Sequence, residues 1–461
     1  MNNIIIRIVV SVLFLMFSPM MLANNINSSK AVLSSNREIT PEMFGAKGDG
    51  KTDDRKALEA CFNFDDNVKI KFEENKVYCL SKGQIRINKN NITIEGNGSI
   101  LRYETGNKIL EEIKDGDEEN SIMLTFSKDN ITIDKLNFDA NAEGSYFMHK
   151  GEKYYGYQQD IGIERLPQKY ITNTAIKIIG NNNSILNCKF DDFGTAIDAG
   201  GDWDLKEYRN NTKIINCSFY NGFRDQIVCS YVENFTVKDC KFENNQRKAI
   251  QFYRSCRKCI VDGCTIDNNP DAIRKWYPTW NKSNSDAELA GIAITNPNCT
   301  DSSSDVVIKN NKISTYKACI IVRNFSENIV INNNDLESDF VGLRIDKGTR
   351  NGFDITNNKF NNSYGGIYFA YGKHEKIDSS KFISNINIKN NVFSDLKYGI
   401  IYDNYTDEPA VKAVNGIMKG NRYNNISNYI RIDGECNKKY ITIITDEFAS
   451  PEDSKYIIFK Q

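Results

Sequence analysis

The sequence predicts an all-β chain wound into a single-stranded parallel β-helix of about a dozen coils, with one helix capping its N-terminal end. Three observations carry that prediction: a short phrase that recurs every 23 or 24 residues, a bend-tolerant residue at one place in the phrase, and apolar columns at fixed distances from it. The phrase is an aliphatic residue, polar residues that include Asn, Gly or Asp, then Cys or Asn, and an apolar residue two places on. Its fourth residues include Cys188, Cys217, Cys240 and Cys264, then Asn311, Asn334, Asn358, Asn391 and Asn421. Those at 217, 240 and 264 are 23 and 24 apart, and so are those at 311, 334 and 358.

Each column has a physical meaning. The third residue is Gly96, Asn187, Asn216, Asp239, Gly263, Asn310, Asn333, Asn357, Asn390 or Gly420, types that tolerate a left-handed backbone, so the chain is expected to bend there, with Lys135 as the exception. Two residues after the fourth place stands Phe138, Phe190, Phe219, Phe242, Ile266, Ile313, Leu336, Phe360, Phe393 or Tyr423, a column expected to stack in the core. Nine or ten residues after the fourth place, a second strand begins with an inward aliphatic: Ile197, Ile227, Ile250, Ile320, Leu343, Ile367, Ile400 and Ile430, with Ile292 after an insertion. Leucine-rich and helical repeats do not fit, because the leucine pattern and the 3.6-residue period are both missing.

Open strand edges at the two ends of such a stack must be covered. Thr52-Asp53-Asp54 offers a helix N-cap ahead of an apolar face of Ala57, Leu58, Cys61 and Phe62, so a capping helix is expected within residues 39–80. Strands at 440–445 and 456–459 are expected to close the other end.

Lys+Arg 59 against Asp+Glu 60 leaves a net charge of -1, without the basic excess that nucleic-acid binding needs. Beyond the N-terminus no apolar run is long enough to span a bilayer. Two histidines, His149 and His374, cannot build a histidine-rich metal site, and no metal ligands are assigned. With 40% hydrophobic residues there is material for one large repeat domain over residues 39–461.

Residues 1–23 read as an export signal, with Arg7 as the positive region, an apolar run over 8–17, and Ala23 as the small residue before cleavage. An uncleaved anchor is the alternative, although the apolar run is shorter than the roughly 20 residues a span requires. Residues 24–38 follow as a flexible leader. Export would place the protein in a periplasm or outside the cell, where disulfides persist. Cys188, Cys217, Cys240 and Cys264 share one repeat position and are expected to be stacked thiols. Cys256 and Cys259 should flank a turn, while Cys61 with Cys79, and Cys299 with Cys319, remain open as bridges.

At Phe44-Gly45-Ala46-Lys47-Gly48-Asp49-Gly50-Lys51-Thr52-Asp53-Asp54, with Ala57-Leu58-Glu59-Ala60 after it, the sequence resembles the N-terminal signature of the pectate-lyase-like superfamily, a group of right-handed parallel β-helices that includes polygalacturonase-related proteins and phage tailspikes. The resemblance implies a right-handed helix, and leaves monomer and tailspike-like homotrimer both open. It implies a fold rather than one reaction, since the superfamily holds hydrolases, lyases, epimerases and non-catalytic binders. Of the polygalacturonase motifs, Arg224-Asp225 keeps one of two paired aspartates and Arg344-Ile345-Asp346 keeps an arginine. Phe193-Gly194-Thr195 and Arg247-Lys248-Ala249 replace motifs that carry an aspartate and a histidine.

Strand alternation turns the residue after each inward aliphatic outward, and the polar end of that column lies near Asp198, Asp225, Lys248, Gln251 and Tyr253. Two insertions, 141–172 with Tyr146, Phe147, Tyr154, Tyr155 and Tyr157, and 268–288 with Trp276, Tyr277 and Trp280, would wall a groove there, and their rings suit sugar stacking. Three functions are open. Glycan hydrolysis would use Asp198 and Asp225 as the acid and base, with Arg224, Lys248 and Arg344 holding acidic sugars. β-Elimination on a uronate would use Lys248 or Arg247 as base, with carboxylates or Ca²⁺ neutralising the sugar acid; otherwise no cofactor is required. A non-catalytic rod would bind a glycan or a cell surface through the same groove. In each case the expected partner is a polysaccharide, and Gln251, Tyr253, Arg247, Trp276 and Trp280 join the substrate-binding set.

Overall fold

The computed structural model describes residues 37–81, 83–103, 122–141, 146–149, 152–155, 174–202, 204–222, 224–245, 247–268, 290–296, 302–323, 325–346, 352–371, 385–404, 414–433, 441–446 and 457–460. All of them lie in one compact unit, Asn36–Gln461. The expected export segment, most of the leader, Tyr157, Trp276, Tyr277, Trp280, Cys299 and His374 fall outside the described residues.

Short strands of β-branched residues stack in parallel, coil upon coil. One sheet has fourteen strands among the described residues, running from Arg37–Ile39 through Val68–Lys71, Ser184–Leu186 and Val307–Lys309 to Ile441–Asp446. The other faces of the coils join into a 24-stranded sheet. Within it the inward aliphatics pair in unbroken register, Ile197 with Ile227, Ile227 with Ile250, then Ile292, Ile320, Leu343, Ile367, Ile400 and Ile430. The apolar column is stacked as expected. Phe138, Phe190, Phe219 and Phe242 lie ring over ring at 4.9, 5.0 and 4.6 Å, and Phe360, Phe393 and Tyr423 at 4.9 and 5.1 Å. Such offset stacks add to the burial of each ring.

The fourth place of the phrase holds the coils together from inside. Asn334 Nδ2 donates to Asn358 Oδ1 at 2.9 Å and to the carbonyl of Ile308 at 3.0 Å, while its own Oδ1 accepts the backbone N–H of Asn311 at 3.0 Å and Asn311 Nδ2 at 2.9 Å. Asn358, Asn391 and Asn421 repeat the pattern. Every side-chain polar atom of the buried Asn334, Asn358 and Asn391 is thereby satisfied by the adjoining coils. Cys188, Cys217, Cys240 and Cys264 continue the column as buried free thiols, and Cys264 N–H donates to Asn311 Oδ1 at 2.8 Å where the two kinds meet. Cys61, Cys79, Cys256, Cys259 and Cys319 are free thiols as well, and Cys256 and Cys259 flank the turn between Ile250–Arg254 and Ile260–Asp262.

The bend column is left-handed from Asn187 to Gly420, with two instructive departures. Lys135 takes φ 53 despite its side chain, because its N–H donates to Leu186 O and its carbonyl accepts Gly98 N–H, so the coils on either side hold it there. Gly96 is not left-handed; Asn97 beside it is, at φ 50. A Cβ on Gly96 would come within 2.3 Å of Leu136 Cα, so glycine is needed there for close approach.

The helix Arg55–Phe62 buries Leu58, Cys61 and Phe62 against the end of the stack. Asp54 is its N-cap residue but its side chain does not cap; the carboxylate turns back to accept the N–H groups of Lys47 at 2.6 Å and Gly48 at 3.0 Å, tying the glycine-rich signature to the helix start. The first strand, Arg37–Ile39, starts inside the stretch assigned to the leader and pairs with Val68–Lys71. At the other end, Ile441–Asp446 and Ile457–Lys460 continue the parallel sheets.

The inner amide column should dominate stability. Asn334→Ala is expected to cost about 3 kcal/mol in chemical denaturation, because it strands several buried partners, whereas Asn333→Gly in the neighbouring bend should cost less than about 1 kcal/mol.

Candidate active site

Alternation along the strands sets an outward column in register: Lys177, Asp198, Val228, Gln251, Ala293, Ile321, Arg344, Tyr368, Ile401 and Arg431. Outward does not mean exposed along its whole length. Ala293, Ile321, Tyr368 and Ile401 are buried and join Ala290, Ala318, Val341 and Tyr398 in a second apolar cluster outside the coils. The polar members of the column are Lys177, Asp198 and Gln251 on the N-terminal side of this cluster, Arg344 within its span and Arg431 beyond it.

Asp225 and Lys248, each two residues before the inward aliphatic that opens a strand, lie on consecutive coils. Lys248 N–H donates to Asp225 Oδ1 at 3.2 Å, and its Nζ lies 3.7 Å from the same oxygen. Arg247 Nη1 stands 3.3 Å from Asp225 Oδ2. Both Asp225 and Lys248 are only 1% exposed. The turn that carries Arg224 and Asp225 is fixed by buried Gln226, whose Nε2 donates to the carbonyls of Phe193, Gly194 and Arg224 at 3.3, 3.2 and 3.4 Å. Gly222 makes room for that amide, since a Cβ there would lie 1.7 Å from Gln226 Nε2.

The electrostatics separate the two carboxyls. Burial pushes Asp198 above the ordinary aspartate value, with Lys177 and Arg224 only partly opposing it. Burial acts on Asp225 in the same sense, but Arg247, Lys248 and Arg224 together hold it below that value. Lys248 is brought down to about 7 by burial; Asp225 opposes this, while Arg247, Arg323 and Arg224 add to it. Two acids with opposed protonation tendencies beside an amine near 7 make a set in which a proton donor and a proton acceptor can coexist.

Of the expected site residues, the structure gathers Asp198, Asp225, Lys248, Arg224 and Arg247. Gln251 stands two coils from Asp198 and donates to Thr295 Oγ1 at 3.1 Å. Tyr253 lies under the guanidinium of Arg254 at 5.3 Å. Trp276 and Trp280 lie outside the described residues, and of the earlier insertion the described part is a hairpin that pairs Tyr146–His149 with Glu152–Tyr155. Arg344 does not join the group: it sits five coils from Asp198 and is bound by Asp346. Lys177, Arg323 and Asp346 are absent from the set that the sequence suggests. Lys177 obeys the same rule as Asp198 one coil earlier, after inward Ile176, and extending the column towards the N-terminus finds it. Among the described residues no three acids gather as calcium ligands; Asp225 is engaged by Arg247 and Lys248, and Asp346 by Arg323 and Arg344.

A buried lysine with a lowered pKa binds fewer protons in the folded than in the unfolded chain, so stability should rise with pH between about 7 and the ordinary lysine value of 10.5. In Lys248→Met, urea denaturation over this range should lose that rise, on the order of 4 kcal/mol.

A family model described as right handed beta helix region matches residues 168–296. No curated protein sequence matches the chain. Among solved structures, the A-module of the mannuronan C-5 epimerase AlgE4 of Azotobacter vinelandii is similar at TM-score 0.60 and 12% identity, over 88% of this chain and 100% of the module. An exopolygalacturonase from Thermotoga maritima is similar at 0.50 and 13%, over 87% of both chains. PfbA, a surface adhesin of Streptococcus pneumoniae, is similar at 0.53 and 14%, over 86% of this chain and 93% of its own. The fold is thus shared by carbohydrate-active enzymes and an adhesin. The chain is a right-handed parallel β-helix with the pectate-lyase-like fold.

Proposed function

We propose that the protein is an exported enzyme that cleaves an acidic, uronate-containing polysaccharide at Asp198. The observation that carries this reading is the buried cluster in which Arg247 and Lys248 bind Asp225 and Arg224 acts on both Asp225 and Asp198, so that the two carboxyls are driven apart in protonation. Asp198, partly buried and raised, is suited to hold a proton for the glycosidic oxygen; Asp225, kept ionised by Arg247 and Lys248, supplies the opposite charge. In hydrolysis the proton of Asp198 passes to the leaving oxygen as the C1–O bond breaks. Water adds to C1, and its proton is taken by the ionised carboxylate. Arg224 and Arg247 pair with the uronate carboxylate, for which a planar guanidinium fork is well shaped. That neutralisation falls to arginine rather than to calcium.

Lys248 favours a second reading, β-elimination. An amine near 7 can take the C5 proton, the electron pair forms the C4–C5 double bond, and the leaving oxygen receives its proton from Asp198. The similarity to an adhesin sets the remaining outcome, binding without cleavage.

Reducing ends and the ultraviolet absorbance of unsaturated uronates, followed together on uronate and neutral polysaccharides, separate these. Hydrolysis predicts reducing ends without absorbance, and activity that falls as pH rises through the raised value of Asp198, since the acid must be protonated. Elimination predicts absorbance, and activity that rises through about 7 as Lys248 loses its proton. In either case Asp198→Asn should lower kcat by about 10² to 10⁴ with binding retained. Binding without turnover by the wild type would sink the catalytic reading.

A further inference from the structure

On the outward face, beyond the reactive group, one carboxylate holds two arginines from successive coils. Arg323 Nε donates to Asp346 Oδ2 at 2.7 Å, and Arg344 Nε donates to Asp346 Oδ1 at 2.6 Å. The arrangement follows from the strands. Leu343 and Ile345 point inward, which turns Arg344 and Asp346 out; Val322 pairs with Ile345, which sets Arg323, the next residue, beside Asp346. The Asp346 side chain is 9% exposed, whereas those of Arg323 and Arg344 keep 25% and 22%. Arg344 also lies 5.8 Å over the ring of Tyr368. Each contact to Asp346 uses an Nε, and each guanidinium carries further donors on its two terminal nitrogens. Two guanidiniums against one carboxylate leave a positive charge, held in place before any ligand arrives.

The geometry points to a second anion-binding site, made by Arg323 and Arg344 with Asp346 as their positioning residue, that takes the carboxylate of a uronate several sugars away from the one at Asp198. This rests on the acidic-polysaccharide reading of the Asp198 site. Asp198 and Arg344 are five coils apart in the same register column, about 24 Å at the usual strand spacing. A chain long enough to reach both places is held at two points, so the site sets a minimum length of substrate and favours polymer over short oligomers.

Arg323→Gln, Arg344→Gln and Asp346→Asn combined remove the clasp without leaving a buried charge. Polygalacturonate and polymannuronate, their methyl-esterified forms, a sulfated neutral polymer and uronate trimers serve as probes, with the melting temperature as the check on folding. For a uronate polymer the triple variant should raise KM and Kd about tenfold or more, while the trimers should bind as they do to wild type. Esterified polymer should bind the wild type and the folded triple variant alike, since the clasp then has no carboxylate to hold. Unchanged polymer affinity in a folded triple variant overturns the site, as does a wild type that binds the sulfated polymer but not the uronates. The site can be tested without turnover: if the wild type cleaves nothing yet binds uronate polymer, and the triple variant loses that binding, the site stands and the cleavage reading falls.

Discussion

Everything in this chain depends on each coil completing the hydrogen bonds of its neighbour. A parallel strand has no local partner, so a single coil is not a folded object; it becomes one only when the next coil arrives in register. The inner asparagines enforce that register. An amide with two donors and two acceptor positions, buried where no water reaches it, is satisfied at one coil spacing and at no other, and a slip by one residue would turn every inward aliphatic out. The cysteine stretch of the same column fills the space with soft, weakly polar side chains that make few directional demands.

That register is also what makes a surface of distant residues behave as a site. Asp225 and Lys248 are 23 residues apart in sequence and meet because they occupy the same place on successive coils. Lys177 comes beside Asp198 for the same reason. Charge is thereby concentrated on one face, and burial moves the protonation of Asp198 and Lys248 in the directions that acid and base chemistry needs.

The fold is largely legible in the sequence because its determinants are periodic. Bends, aromatic column and inward aliphatics each repeat at fixed spacing, and the departures are local: Gly96 has the sequence of a bend and is a point of close approach, and Asp54 has the position of a helix cap while its carboxylate serves the loop before it. The site is legible in part. Alternation predicts which residues leave the core, and so finds Asp198 and Arg344, but it does not predict what lies over them; Ala293 and Ile321 point outward and are nevertheless buried. Nor does it reveal pairing between outward residues, which depends on side-chain reach across coils. The column and the Arg344-Ile345-Asp346 motif group Arg344 with Asp198, and the carboxylate that holds it, Asp346, stands in that same motif without its pairing being legible.

The most direct test of the account is a crystal structure of the Asp198→Asn protein soaked with a uronate hexamer. The account predicts a sugar carboxylate on Arg224 and Arg247 with a glycosidic oxygen against the amide at position 198. A hexamer bound elsewhere, or bound there with its carboxylates turned away from both arginines, would contradict it.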